Sequence, residues 1–129
     1  QVEAGRTAAS TTMTGSEQTL YEQSDTVSWE FKGGFIDLSG LADTRACVVK
    51  VYTKHKSGGT YRQWPAVTLT GAADAGTYFV PQQIPVGGTS YKAILPGFMN
   101  VYGVKVTLQQ SVQGGGYLTV DNEFWDSKT

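Results

Sequence analysis

The sequence has little of the chemistry that enzymes and metal proteins commonly use. It holds one histidine, one cysteine and two methionines in 129 residues. Charged residues make up 16% of the chain, below the usual ~25%, and their net charge is −1. No run of ~20 apolar residues is present, which excludes a membrane-spanning helix. Since there is no basic excess and no second cysteine, we expect neither a nucleic-acid partner nor a disulfide scaffold.

The few reactive side chains do not form a recognisable catalytic or metal-binding set. Cys47 begins an alternating apolar run, which is typical of a buried free cysteine. His55 lies between two lysines at a predicted hairpin tip. It is eight residues from Cys47 along the predicted strand, and at ~3.3 Å per residue this separation is too great for the two side chains to form a catalytic pair. Zinc sites need more Cys and His ligands than this chain has, and phosphate-loop, dinucleotide and nucleophile-elbow motifs are absent. We therefore expect no enzymatic activity and no cofactor.

Two carboxylates near the C-terminus are the weak metal candidates. Asp121 and Glu123 alternate along a predicted strand and therefore share one of its faces. Carboxylate oxygens are ligands that Ca²⁺ accepts, so these two residues could contribute to a calcium site. The alternative is a solvated strand face without a metal.

The sequence is rich in glycine and aromatic residues, and its apolar residues recur at every second position. Gly accounts for 16 residues and aromatics for 12% of the chain. From residue 20 onward, apolar and polar side chains alternate in short runs bounded by Gly and Pro, which predicts strands separated by turns. The pattern favours an all-β fold over residues 20–129: an antiparallel two-sheet β-sandwich, jelly-roll-like, with about eight strands. The runs are 27–32, 35–38, 47–54, 60–64, 66–70, 77–80, 91–95, 101–110 and 117–125.

Turn residues suggest how some of these strands connect. Runs 47–54 and 60–64 are predicted to form a hairpin closed by Lys56–Gly59, and runs 101–110 and 117–125 a second one closed by Gly114–Gly116. Gly33 and Gly34 are interpreted as a boundary between two strands. Thr14–Glu17 matches a capping box, which predicts at most one or two helical turns.

Residues 1–19 differ from the rest of the chain because they contain no aromatic residue, no Leu and no Ile. Such a segment has little apolar surface to offset its ordering entropy, so it is either a flexible terminus or an arm that orders against a neighbouring subunit. As an arm, residues 7–19 could add a strand to a sheet edge, with Thr11, Thr12 and Thr14 at the interface. The segment has no signal-peptide pattern, and its start at Gln1 leaves a processing cut or trimming as alternatives.

Aromatic residues outnumber the inward-facing positions that need them. Tyr52 and Tyr117 alternate with apolar neighbours and are expected to point outward, and Trp64 follows a predicted strand. Outward aromatics can anchor a protein interface or stack on sugar rings, whereas the alternative is a packed core and rim. We take Tyr52, Trp64 and Tyr117 as interface candidates, with glycan binding as the other hypothesis.

From Thr26 onward the chain resembles small β-sandwich, jelly-roll-like structural proteins of virus and phage particles. The resemblance implies a capsid, cement or decoration component with no catalytic residues. Similar sandwiches occur in extracellular filaments whose N-terminal strand completes a neighbour's sheet. We therefore expect a self-assembling subunit of a virion or an extracellular filament, with copies of itself and other particle proteins as partners. The resemblance is based on Phe35–Leu41, Val48–Tyr52, Tyr61–Arg62, Thr68–Ala72 and Tyr102–Gln110.

Overall fold

The part of the chain that the structure describes consists of β-strands and the turns and short connections between them. The structure is a computed structural model that describes residues 6–38, 45–64, 66–70, 77–78, 86–87, 92–95, 98–112 and 116–127. The all-β prediction is confirmed, and these residues include no helix long and apolar enough to cross a membrane. The strands are β1 Arg6–Thr12, β2 Gln18–Asp37, β3 Ala46–Lys54, β4 Arg62–Gln63, β5 Val67–Thr70, β6 Thr77–Tyr78, β7 Val86–Gly87, β8 Lys92–Leu95, β9 Phe98–Val112 and β10 Thr119–Asp126.

Antiparallel ladders join most of these strands in one sheet. Its order is β1-β10-β2-β9-β3-β4, with β5 also paired to β3 and β8 also paired to β2. Strands β6 and β7 form a separate pair. The antiparallel prediction is confirmed, whereas the predicted division into the two sheets of a jelly roll is not, because eight strands share one hydrogen-bonded sheet in the described residues.

Strand β2 is longer than predicted because its glycines bend the strand instead of ending it. The separate strands expected at 27–32 and 35–38 are one continuous element of 20 residues. Gly33 has φ +104°, a conformation that favours glycine, and the register with β10 shifts at the facing Trp125 and Asp126. At Gly34 a Cβ atom would overlap the backbone oxygen of Glu123, so the glycine permits close approach of β10.

The two predicted hairpins have different outcomes. The first is confirmed, since Tyr52 pairs with Gln63 and Thr53 with Arg62 across a turn in which Gly59 N–H donates to Lys56 O at 3.0 Å. The second is wrong, because β9 pairs with β2 and β3 while β2 lies between β9 and β10. Alternation shows that a segment is a strand but does not identify its partner. Residues 79–80 and 91 of the predicted strands and residues 114–115 of the predicted glycine turn lie outside the described residues.

The capping-box pattern at residues 14–17 does not start a helix. Gly15 and Ser16 form a bend, and Gly15 has φ +89°. Instead of capping a helix, the Glu17 carboxylate accepts hydrogen bonds from the hydroxyls of Tyr52 and Thr107. The segment is therefore a tight connection between β1 and β2.

The aromatic part of the core joins two stretches of β2 to β10. Tyr21, near the start of β2, contacts Phe31 and the β10 residue Phe124 with ring centroids 5.2 Å apart in each case. Its hydroxyl donates to the buried Asp126, and burial together with that carboxylate raises the pKa of Tyr21. Inward residues of three strands complete the core: Cys47, Val49 and Val51 of β3, Val104, Val106 and Leu108 of β9, and Val120 of β10.

The polar N-terminal segment packs against its own chain. Residues 6–12 pair with residues 119–125 of β10, and the following Met13 is only 1% exposed, with its N–H donating to Leu118 O at 2.8 Å. Strand β2 begins at Gln18, and the predicted boundary between residues 19 and 20 stays a prediction. A backbone ladder holds residues 6–12 where the burial of their side chains would not.

Candidate functional site

The seam between β1 and β10 contains the predicted interface threonines Thr11 and Thr12. Thr12 Oγ1 lies 3.0 Å from Thr119 Oγ1, and Asn122 Nδ2 donates to Thr11 Oγ1 at 3.5 Å. Ser10 donates a hydrogen bond to Asp121. Most of the β1 side chains at this seam are small and exposed, so backbone pairing and hydroxyl contacts hold the strand.

A short connection, which we call the hinge, joins this strand to the rest of the sheet. The hinge comprises residues 14–16, and the predicted interface residue Thr14 is exposed in it. Met13 is fixed on one side by its bond to Leu118, and Glu17 is fixed on the other by β3 and β9. Gln109 Nε2 donates to Gly15 O at 3.0 Å within the hinge itself. Three residues therefore separate two anchored points.

Glu17 is the anchor on the sheet side of the hinge. Its Oε2 accepts hydrogen bonds from Thr107 at 2.6 Å and from Tyr52 at 2.7 Å, and Lys50 Nζ lies 3.6 Å from Oε1. The Thr107 and Tyr52 hydroxyls and then the Lys50 charge hold the pKa of Glu17 below its usual value, against the opposing effect of burial. The residue therefore binds the hinge to two strands through its charged form.

Tyr52 belongs to a cluster of alternating tyrosines and lysines. Lys105 Nζ lies 4.4 Å from the Tyr52 ring centroid and 5.2 Å from that of Tyr61, and Lys54 Nζ lies 4.5 Å from the Tyr61 ring. Burial and the Glu22 carboxylate raise the pKa of Tyr61 to about 12. Each ring has an ammonium group over one face, which stabilises the cluster and covers a surface on which a sugar would stack.

The lysines of this cluster and Glu17 were missed by sequence reasoning. The signal was available, since Lys50, Tyr52 and Lys54 alternate and must share one strand face. The contribution of Glu17 was hidden, because its hydrogen-bond partners lie 35 and 90 residues away in the chain.

The other two aromatic candidates differ in position. Trp64 is half-buried and packed against the core, and its Nε1–H donates to Thr53 Oγ1 at 3.1 Å. Tyr117 is 43% exposed and its hydroxyl lies over the hinge, 2.9 Å from where a Cβ of Gly15 would be. Tyr117 thus packs on the hinge and Tyr52 bonds to Glu17 directly after it, whereas Trp64 packs on the core beside β3.

The weak calcium candidates lie on one face of β10, as their spacing indicates. Asp121 is exposed and faces Ser10, and Glu123 is half-buried opposite Ala8. In the described part of the chain, no group of three or more His, Cys, Asp or Glu residues could hold a metal ion. Calcium binding at this pair stays a prediction.

Cys47 and His55 lie in different environments. Cys47 is fully buried, as predicted, and burial raises the pKa of its thiol to about 11. His55 is exposed at the hairpin tip, where its Nε2 lies 2.8 Å from Thr53 Oγ1. A thiol that is buried and protonated at neutral pH is a poor nucleophile.

The similarity of this chain to known proteins is found among solved structures. No protein-family model matches the chain, and no curated protein matches it. The chain is similar to a crystal structure of the infectious bursal disease virus VP2 subviral particle, with a TM-score of 0.47 and 12% identity. The match covers 95% of this chain and 30% of that one, so the chain spans less than a third of the length of that protein.

Proposed function

We propose that this chain is a non-enzymatic structural subunit that assembles with copies of itself, and that β1 is the element the copies exchange. The observation that carries the proposal is the arrangement of β1. Among the described strands it pairs with a single neighbour, β10, and a hinge of three residues joins it to the sheet.

Exchange between copies would preserve the contacts of this seam. Strand β1 of one chain can form the same seven-residue ladder with β10 of another, including the contact of Thr12 with Thr119. Only residues 14–16 would change conformation, and short constrained hinges favour such domain swapping. If each chain passes its strand to the next, the assembly is a closed ring or shell when the rotation closes and a filament when it does not.

The kind of assembly is a more specific proposal, which follows from the resemblance to structural proteins of virus and phage particles. We propose that the assembly is a virion shell or its cement or decoration layer and that the sheet curves into a jelly-roll-like sandwich. An extracellular filament joined by the same strand exchange is the alternative. Glycan binding is less favoured, since lysine ammonium groups lie over the Tyr52 and Tyr61 rings and Trp64 is packed against the core.

Cysteine pairs across the seam test the exchange. Two chains are prepared, one with Thr12→Cys and the other with Thr119→Cys plus a mass tag, and they are mixed, concentrated and oxidised. The two hydroxyls lie 3.0 Å apart, so the facing thiols suit a disulfide. Exchange predicts a disulfide-linked heterodimer on a non-reducing gel, with a Thr12–Thr119 cross-link identified by mass spectrometry.

The control replaces Thr119→Cys with Ser28→Cys, an exposed position in β2 away from the seam. It measures random thiol collisions, while the buried Cys47 stays unchanged in every sample. Heterodimer no more abundant than in this control would contradict strand exchange. A wild-type chain that stays at its monomer mass of 13.9 kDa at every concentration, by light scattering, would contradict self-assembly as a whole.

A further inference from the structure

One long stretch of the chain carries basic side chains and no acidic one. Residues 44–73 hold five of the ten Lys and Arg residues of the chain and none of its eleven Asp and Glu residues. The positive charge of this stretch must therefore be balanced by other parts of the chain or by ions and ligands from solution. The five cations are Arg45, Lys50, Lys54, Lys56 and Arg62.

Three of these five cations are held by contacts within the chain. Arg45 Nε donates to a backbone carbonyl at 3.0 Å. Lys50 Nζ lies 3.6 Å from Glu17 Oε1, and Lys54 Nζ lies 4.5 Å from the centroid of the Tyr61 ring. The remaining two cations both lie at the β3–β4 hairpin.

These two cations line a cleft at the tip of the hairpin, which we call the hairpin cleft. Within the described residues, neither the Lys56 ammonium nor the Arg62 guanidinium takes part in an ion pair. The cleft has a volume of about 230 Å³, which is below the ~300–1,000 Å³ of sites for drug-sized ligands, so it suits one small chemical group. Its lining residues are His55, Lys56, Gly59, Thr60 and Arg62, and none of them is a carboxylate.

The imidazole of the hairpin cleft is oriented by a buried hydroxyl. His55 Nε2 lies 2.8 Å from Thr53 Oγ1, which also accepts a hydrogen bond from Trp64 Nε1 at 3.1 Å. Because Thr53 is only 1% exposed, its hydroxyl proton needs an acceptor within the protein, and His55 Nε2 lies within reach. Neutral His55 then carries its own proton on Nδ1, so this N–H stays as a donor for a ligand.

The lysine of the hairpin cleft is positioned by the turn. Gly59 N–H donates to Lys56 O at 3.0 Å. Lys56 Cγ lies 3.0 Å from where a Cβ atom of Gly59 would be, so the stem of the lysine packs over the glycine. The turn therefore fixes the direction in which the Lys56 side chain starts, on the same cleft as Arg62.

The groups that line the hairpin cleft suit an oxyanion with several oxygens. Lys56 supplies an ammonium, Arg62 a planar guanidinium and Thr60 a hydroxyl, in addition to the Nδ1–H of His55. A phosphate or sulfate group has three or more oxygens that point in different directions and can accept from several walls of the cleft. A carboxylate has two oxygens in one plane and would leave more of these donors without an acceptor.

We propose that the hairpin cleft binds a phosphate or sulfate group. Lys56 and Arg62 balance the charge of this group, and His55 and Thr60 donate hydrogen bonds to its oxygens. The group is either a free ion or part of a phosphate or sulfate ester. The proposal does not depend on the proposed self-assembly, since none of these residues belongs to β1, β10 or the hinge.

Phosphorus NMR of inorganic phosphate tests the site, since a bound fraction broadens the phosphate line whether the protein is a monomer or a large assembly. Titration at constant ionic strength gives the affinity. Lys56→Gln and Arg62→Gln should each weaken binding about 10-fold, because each removes a charge-assisted hydrogen bond. The control Lys32→Gln removes the same charge from an exposed position on β2 and should leave the affinity unchanged.

Competition identifies the group and its source. Sulfate should displace phosphate, whereas acetate and chloride at the same ionic strength should not. Stronger displacement by glucose 6-phosphate than by sulfate would assign the cleft to an ester, and weaker displacement would assign it to the free ion. Equal broadening by the wild type and by both cleft variants, or displacement by acetate as effective as by sulfate, would overturn the proposal.

Thr53 is a positioning residue in this proposal, and its role can be tested separately. Thr53→Val removes the hydroxyl that orients His55 and should weaken phosphate binding, whereas Thr53→Ser keeps the hydroxyl and should bind as the wild type does. The chain has one histidine, so solid-state nitrogen NMR at mildly alkaline pH reports its tautomer directly. We expect the proton on Nδ1 in the wild type and in Thr53→Ser, and a mixture of tautomers in Thr53→Val. Circular dichroism melting establishes that both variants fold, and a folded Thr53→Val chain with unchanged tautomer and affinity would contradict this role.

Discussion

At the scale of single residues, Glu17 illustrates how one charged group can fix a connection between strands. Its carboxylate joins the hinge to β3 through Tyr52 and to β9 through Thr107. The residue is partly exposed, so solvent screens these contacts and their net contribution is modest. The same contacts explain why Tyr52 is held against the sheet, although its place in the sequence suggested a free outward ring.

We expect Glu17→Gln to lower the free energy of unfolding by about 1 kcal/mol at neutral pH, because the amide loses the charge-assisted hydrogen bonds. Folding lowers the pKa of Glu17, so its stabilisation is present above the ordinary glutamate pKa of about 4.3 and is lost as the pH falls through the lower folded value. Urea unfolding of both proteins between pH 7 and pH 2 measures this. A difference that persists unchanged at pH 2 would contradict the assignment.

At the scale of elements, glycines determine where the long strand β2 bends and how closely β10 approaches it. Gly34→Ala should lower the free energy of unfolding by about 2–3 kcal/mol, because the new methyl group would overlap the Glu123 backbone and the Phe124 ring. Gly58→Ala is the control, because no atom lies within 4 Å of the added methyl group and only the φ of +69° opposes the substitution. We expect it to lower the free energy of unfolding by about 1 kcal/mol. Thermal or urea unfolding measures both, and an equal or smaller loss at Gly34 would contradict the close approach.

The elements also show what the sequence could and could not predict. Alternation identified β3, β9 and β10 and the inward positions of Cys47, Val49 and Val51, because the two faces of a half-buried strand differ in polarity. It could not predict that β2 lies between β9 and β10, since pairing depends on partners distant in the chain. Gly33 and Gly34 were interpreted as a strand boundary because a bulge and a turn both favour glycine.

The candidate site was predictable to a similar extent. Thr11, Thr12, Tyr52 and Tyr117 were identified as interface candidates separately, and the structure brings all four to β1, its partner strand or the segment that joins β1 to β2. Trp64 was chosen on the same reasoning but lies against the core. Composition alone could not predict that the polar β1 pairs with β10 of its own chain. The backbone hydrogen bonds that hold this strand do not require apolar side chains.

At the scale of the whole molecule, hinge length should control how many chains share their strands. Inserting Gly-Ser-Gly between Gly15 and Ser16 relaxes the three-residue connection, so the chain can close on itself and the monomer fraction should rise. Deleting Gly15 removes the residue with φ +89° that turns the chain back towards its own sheet, so the exchanged form should increase. The reason is that the β1–β10 ladder is the same in both forms, which leaves the hinge as the main difference between them.

Light scattering coupled to size-exclusion chromatography measures the two fractions at matched concentrations. The matched control inserts the same three residues between Ser57 and Gly58, an exposed turn at the other side of the sheet, where no strand exchange is proposed. Opposite shifts for the hinge insertion and deletion, with no shift for the control, would link assembly to strand exchange through the hinge. If the insertion leaves the oligomer fraction unchanged while the seam cross-link still forms between chains, strain in the hinge is not what drives the exchange.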